Sequence, residues 1–341
     1  MDILVLLLTS VFAGILPMIC WAVLVWWFDR YEKEPLHLLV ISFLWGVAPA
    51  VVIAAVVELV LALLSGYGGD AASTGISLFN LGLVAPLVEE GVKLLGLLGV
   101  FWIAGKEIDG PLDGIIYGAM VGFGFAATEN VLFFLTSESV GELLVMIFLR
   151  AMVFGSLHAM IAAFTGLGLA FAKYARSTGR AILWAAGGFL AAVIFHSIHN
   201  IGLVFAQNTL LVLLAVVLSY GVGIAIILML AVGSLIRERQ TIRKYLQPYV
   251  AGGLLTEQQW QAAASVRNRL AAEWDALGRF NFSKYRTIAR LHTLSAELAF
   301  KEKQRQIWGK DPKVDEQIAG LTLEIRQLLN SAKPSQKTGL V

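Results

Sequence analysis

The sequence is poor in charge and nearly free of cysteine, and each shortage removes a class of protein. Only 15% of its 341 residues are charged, 58% are hydrophobic, and the mean hydropathy is +0.75. A soluble globular chain carries about 25% charged and about 45–50% apolar residues. The one cysteine, Cys20, excludes a disulfide framework within the chain and a cysteine metal site. Lys and Arg are also absent from every second connection between the apolar blocks. The stretches near 65–75, 137–143 and 207–208 hold none, although they hold Asp70, Glu138 and Glu142. The other connections are basic: Arg30 and Lys33, then Lys106, then Lys173, Arg176 and Arg180, then Arg237, Arg239, Arg243 and Lys244.

What is present is a series of long apolar runs. A spanning helix needs roughly 20 mostly apolar residues. Seven blocks meet that need, at about 2–28, 38–64, 76–104, 114–136, 144–172, 181–206 and 209–235. The expected fold is all-α: a transmembrane bundle of about seven spans, residues 1–235, followed by a small helical cytoplasmic tail, residues 236–341. No basic residue precedes the first block and no small-residue cleavage site follows it, so it reads as an uncleaved span. Basic residues stay on the cytoplasmic side. One topology suits every connection: an integral protein of a bacterial inner membrane, N-terminus outside, tail inside.

The tail holds 18 of the 26 Lys and Arg residues but only 10 of the 24 Asp and Glu, a formal +8, which leaves −6 for the rest. Thr256 and Gln259 are spaced as a capping box. Trp260, Val266, Leu270, Trp274 and Leu277 then follow helical spacing, as do Tyr285 to Leu298 and Ile318 to Leu329. Such faces suit a small helical domain that packs on itself, with adhesion to anionic headgroups as the alternative. No nucleic-acid motif is present.

An ionisable group at membrane depth costs at least a few kcal/mol and needs a partner or a role. The third block carries Glu89, Glu90 and Lys93; the fourth, Glu129; the fifth, Arg150 and His158; the sixth, His196, His199 and Asn200. With the topology above, their depths spread over roughly 10 Å at about 1.5 Å per residue, so one cavity can collect them. Glu89 and Lys93 are four apart and Glu90 and Lys93 three apart, so Lys93 neutralises one of the two carboxylates and leaves the other for chemistry. His196 and Asn200, four apart, share a face. A carboxylate to activate water and a His–Asn donor pair to hold an oxyanion make a hydrolase. Glu58, near the outer end of the second block, has no motif around it and reads as a headgroup-level residue.

Other hydrolytic schemes fail on the residues. There is no His-Glu-x-x-His motif. Blocks three to seven contain no aspartate, which excludes a paired-aspartate mechanism, and Ser156 lacks a Gly-x-Ser-x-Gly setting. The competing class is a proton-coupled transporter, which also uses intramembrane carboxylates and histidines. Against it stands the lack of an inverted repeat.

Glu89-Glu90-x-x-Lys93, Phe125-x-x-x-Glu129, His158 and His196-x-x-x-Asn200 resemble, in order, the motifs of PrsW-type intramembrane proteases. These share a glutamate-dependent superfamily with the CAAX prenyl endopeptidases and the ABI proteins. The Asp29-Arg30-Tyr31-Glu32-Lys33-Glu34-Pro35 stretch resembles the PrsW loop, so the resemblance covers residues 1–205. It implies an endopeptidase that cuts a membrane protein, by analogy a single-span anti-sigma factor. Glu89 would be the general base, Glu129 would help hold the water, His196 and Asn200 would bind the oxyanion, and His158 would support them. Lys93, Arg150 and His199 would assist, with no cofactor; the superfamily is generally read as working without a catalytic metal, although Glu/His clusters can bind zinc. The CAAX branch has a histidine where this chain has Glu129, which favours the PrsW branch.

Overall fold

The computed structural model describes residues 2–31, 33–64, 78–105, 108–206, 209–309 and 311–331. Asp70 and Lys106, used above for topology, lie outside these, as do residues 207–208. Among the described residues every regular element is helical. The chain divides into two compact units, one of residues 1–28 and 34–232, the other of residues 29–33 and 233–341.

In the first unit α1 is Ile3–Phe28 and α2 is Leu36–Leu64, with a wide π-helical turn at Gly46–Ala50. A second π turn, Asn80–Val84, leads into α3, Ala85–Ile103. Then come α4, Pro111–Leu135; α5, Val140–Ile147; α6, Leu157–Lys173; α7, Thr178–Ala206; and the start of α8, Leu210–Ala251. Among the described residues six helical stretches are long and apolar enough to cross a membrane: α1, α2, α4, Val140–Lys173, α7 and α8. The expected third span is helical as well. It is apolar enough on average, but its three charged residues, Glu89, Glu90 and Lys93, set it apart from those six. Large apolar side chains such as Phe12, Leu59, Leu144 and Leu218 face outward, as a bilayer requires of an integral membrane protein.

The centre of this unit is α4, buried almost continuously from Leu112 to Ala127. It is built for close approach. A Cβ on Gly122 would collide with the His158 carbonyl of α6, and one on Gly124 with the Phe43 carbonyl of α2. Small residues at such crossings let helix backbones touch. Thr128 donates to the Val47 carbonyl at 2.5 Å, a group of the π turn in α2. The helices that carry the polar residues are therefore pressed against α4.

The fifth block was expected to be one helix with His158 two turns beyond Arg150. It is broken instead: α5 gives way to a π turn at Phe148–Val153, and α6 begins at Leu157. Trp21 of α1 donates to the Ala151 carbonyl at 3.3 Å, using a backbone group at the break. His158 thus stands at the head of a new helix. Lys173, at the other end of α6, donates to the carbonyls of Gly105 and Ile108, which ties that end to the start of α4.

The second unit holds the last turns of α8 with α9, Glu257–Ala263; α10, Val266–Gly278; α11, Phe282–Trp308; and α12, Pro312–Ser331. Thr256 and Gln259 form the expected capping box. The amphipathic run expected from Trp260 to Leu277 is two helices, because Ser265 breaks it and caps α10 by accepting from the Asn268 amide. Trp274, expected to face inward, is exposed. Ile242, Leu246, Leu294, Leu298 and Ile325 form a core that also takes in Tyr31.

Candidate active site

Four helices and one π turn deliver the polar residues to a single buried cluster. On α3, Lys93 is fully buried, and its ammonium donates to Glu90 Oε1 at 2.6 Å. The same ammonium lies 3.3 Å from His158 Nδ1 and 3.7 Å from Glu89 Oε2. It also sits over the Phe125 ring, 3.9 Å from the centroid, so an aromatic face of α4 covers its open side. On α7, His196 Nδ1 is 3.0 Å from Glu90 Oε1, and its Nε2 is 3.9 Å from Glu89 Oε2. On α6, His158 Nε2 is 2.6 Å from Glu129 Oε2, and Arg150 Nη2 donates to that same oxygen at 2.8 Å.

Glu90 and Glu129 are therefore saturated on one oxygen, the first by Lys93 and His196, the second by Arg150 and His158. The Oε2 atoms of Glu89 and Glu90 are both buried and make no hydrogen bond. The Glu90 side chain is wholly enclosed, whereas that of Glu89 is 12% exposed, with Lys93 and His196 just beyond bonding distance of its Oε2. A buried carboxylate oxygen without a partner is expensive unless something else uses it.

The broken helix accounts for Arg150. Because the π turn carries Arg150 and α6 starts afresh at Leu157, both Arg150 and His158 reach Glu129. Asn130, not singled out from the sequence, accepts from Arg150 Nε at 3.1 Å and fixes the guanidinium from behind. Its adjacency to Glu129 was the one available signal. His199 lies a turn beyond His196, its ring against Phe154 at 5.6 Å, and its Nδ1 is buried without a hydrogen-bond partner. Asn200 turns elsewhere: its Nδ2 donates to the Leu81 carbonyl at 3.1 Å, tying α7 to the π turn before α3.

The Glu58 carboxylate is not fully exposed: its Oε1 is buried, and it feels the charges of Glu129, His196 and Lys93. The π turn in α2 lies between Pro35 and Glu58, and a straight-helix depth estimate misses its effect on the register.

Two features of the histidines bear on metal binding. A ligand atom of Glu89, of His158 and of His196 all lie within 4.8 Å of one another. Each histidine also holds a carboxylate with its remaining nitrogen, Glu129 for His158 and Glu90 for His196.

Comparison with known proteins gives one family. The profile described as PrsW family intramembrane metalloprotease matches residues 34–232, which contain the whole cluster and leave the tail unmatched. A curated protein called Protease PrsW from Geobacillus kaustophilus is 34% identical over 172 residues, 50% of this chain and 69% of its own length. Its namesake from Bacillus subtilis is 29% identical over 199 residues, 58% of this chain and 83% of its own. That of Clostridioides difficile is 30% identical over 188 residues, 55% and 76% respectively. No solved structure gives a significant match.

Proposed function

The chain belongs to the PrsW family of intramembrane proteases, and from that premise we propose that it cuts a peptide bond in a single-span membrane protein with water activated by Glu89. The observation that carries this reading is the buried, unbonded Oε2 of Glu89, set between Lys93 and two anchored histidines. Glu89 takes a proton from water as the oxygen bonds to the carbonyl carbon. The negative charge moves to the carbonyl oxygen, where the imidazole of His196 and the field of Lys93 meet it. The proton then passes to the amide nitrogen, the carbon–nitrogen bond breaks, and an acid and an amine leave. Glu129, held by Arg150, pairs with His158 Nε2 and fixes that ring with its other nitrogen against the Lys93 ammonium. Asn200 is assigned here to the helix contact with Leu81 in place of the oxyanion.

The family's description names a metalloprotease, and the residues fit a metal. Two histidines and one carboxylate are a catalytic zinc set, and an outer carboxylate on each histidine is the usual support. In that alternative Glu89, His158 and His196 would hold the ion, with Glu90 and Glu129 behind the histidines. Glu89 would then be a ligand and not the base, and the Lys93 ammonium would have to leave His158 Nδ1. A divalent ion bound there polarises the carbonyl and makes water more acidic.

The bilayer orientation that suits the basic connections is N-terminus outside and tail in the cytoplasm of a bacterial inner membrane. The tie from Lys173 to Gly105 and Ile108 supports it, since it brings two basic connections to one end of the unit. An anti-sigma factor is the class of single-span substrate proposed, on the family resemblance.

The test is co-expression with tagged single-span proteins, comparing wild type with Glu89→Gln at equal membrane levels. Cleavage by wild type and its loss in the variant is the expected result. Cleavage that persists removes Glu89 from the role of base. Chelator treatment with zinc add-back then separates metal-assisted from metal-free hydrolysis. A pH-driven solute flux in proteoliposomes without any cleavage would return the transporter reading.

A further inference from the structure

A small polar cavity of about 200 Å³ lies in the second unit, where α8 meets the corner between α9 and α10. Arg239 and Arg243 of α8 form one wall, and Trp260, Gln261, Ser265 and Asn268 the other. The two arginines are four residues apart, so both guanidinium groups rise from one face of the helix. Elsewhere in the tail Arg279 is paired with Asp275, and Arg290 with Glu324. Among the described residues Arg239 and Arg243 have no such partner, and no carboxylate lines the cavity. Gln261 Nε2 donates to Glu257 at 2.9 Å, but Glu257 stays outside the wall. Trp260 Nε1 donates to the Arg243 carbonyl at 3.1 Å, so a main-chain bond holds the corner against α8. One wall is therefore cationic and the other polar and neutral.

Val232 and Ile236 are exposed apolar residues of the same helix. Steps of four, three and four lead from Val232 through Ile236 and Arg239 to Arg243, which is one stripe of an α-helix. The stripe that meets lipid thus turns basic at its end. At about 1.5 Å per residue, Arg239 and Arg243 stand roughly 5 and 10 Å beyond Ile236, at the depth of headgroups. We propose that this cavity binds a phosphate group, and the stripe favours an anionic phospholipid over free phosphate as its source. A phosphate has several oxygens, and each guanidinium can give it two parallel N–H bonds. Ser265 Oγ accepts from the Asn268 amide at 3.4 Å, which leaves the Ser265 O–H to donate from the opposite wall. Basic faces elsewhere on the tail attract an anionic surface without choosing a place; this cavity fixes one headgroup at one corner. The inference does not depend on the Glu89 cluster.

The experiment follows hydrogen exchange of the backbone from Trp260 to Asn268 in the full chain, held in lipid nanodiscs. One sample has phosphatidylcholine alone, one has phosphatidylglycerol mixed in, and one has phosphatidylcholine with inorganic phosphate in the buffer. With phosphatidylglycerol at about ten times its dissociation constant, exchange at this corner should slow by about tenfold. Slowing by inorganic phosphate but not by phosphatidylglycerol keeps the phosphate site and overturns the lipid as its source. Arg239→Gln with Arg243→Gln should abolish the slowing. Arg279→Gln with Arg290→Gln removes the same charge from the tail and should leave the slowing in place. Arg239→Gln alone keeps the Arg243 guanidinium beside Trp260, 5.7 Å from the ring, and should lose part of the slowing. No slowing with either source of phosphate overturns the proposal. So does slowing that survives in Arg239→Gln with Arg243→Gln, or that falls equally in the other pair, since the cause is then the overall charge of the tail.

Discussion

The two units bury charge in opposite ways. In the first, carboxylates, histidines and cations are partnered with one another: Lys93 with Glu90, His196 with Glu90, His158 and Arg150 with Glu129. In the second, Arg269 is buried among main-chain oxygens. Its guanidinium donates to the carbonyls of Ala263, Arg30 and His292 at 2.8, 2.7 and 3.0 Å, and lies over the Tyr31 ring at 4.9 Å. Carbonyls do not titrate, so Arg269 is a fixed peg that joins residues 29–33 to the tail helices. Side chains that exchange protons can do chemistry. The difference between the units is between charge used for structure and charge held ready for reaction.

Removing the reactive member is the largest break. Glu89→Gln keeps shape and burial but cannot take a proton, so cleavage should fall by about 10²–10⁴-fold while the melting temperature in detergent stays put. Lys93→Met tests the neighbouring pair. It leaves Glu90 as an uncompensated buried charge, which costs about 3–5 kcal/mol. Thermal unfolding in detergent should show that loss, and Lys93→Met with Glu90→Gln should recover most of it. A single variant as stable as wild type would mean the pair contributes nothing.

Much of this contrast was legible in the sequence. The order of Glu89, Glu90, Lys93, Glu129, His158 and His196 along apolar blocks was sufficient to bring them together, since an intramembrane charge has few places to go. The capping box at Thr256 was equally readable, because its spacing is local. The misses in the first unit have π turns in common. π turns at Gly46–Ala50, Asn80–Val84 and Phe148–Val153 reset helix phase, and no residue type announces them. They redirect Glu58 inward and allow Arg150 and His158 to share Glu129, and Asn200 reaches into one of them at Leu81. Arg269 could not be picked from the 18 basic residues of the tail. Its carbonyl partners at 30 and 31 lie more than two hundred positions away in the chain.

On the structural side of the comparison, Arg269→Met keeps the bulk but strands several buried carbonyls. Each unsatisfied polar group costs about 1–3 kcal/mol, and water entry recovers part, so a loss of about 2–3 kcal/mol is expected. Hydrogen exchange in the full chain should show faster exchange of the α11 amides. Glu89-dependent cleavage should persist, since among the described residues the cluster's hydrogen-bond and ion-pair partners lie in the first unit. Loss of cleavage together with tail protection would show that the peg serves the chemistry as well.

The smallest effect comes from a half-buried titratable pair in the tail. His292 Nδ1 lies 3.1 Å from Glu273 Oε1. Burial lowers the His292 pKa from its ordinary 6.5, with Glu273 opposing that shift. The hydrogen bond from His292 lowers the Glu273 pKa from 4.5. For His292 the unfolded chain binds the proton first as pH falls below 6.5, so this contribution is full at neutral pH and fades in acid. For Glu273 the contribution is present above its ordinary 4.5 and is lost as pH falls through the lower folded value. Both signs agree, so α10 and α11 amides should lose protection on acidification below about pH 6.5, first through the histidine and then through the carboxylate. Arg269, lowered by burial from 12.5 only to about 10, keeps its proton throughout that range. His292→Gln should therefore flatten the upper part of the profile and leave the peg in place. A profile unchanged by His292→Gln would mean that the tail's response to acid arises elsewhere.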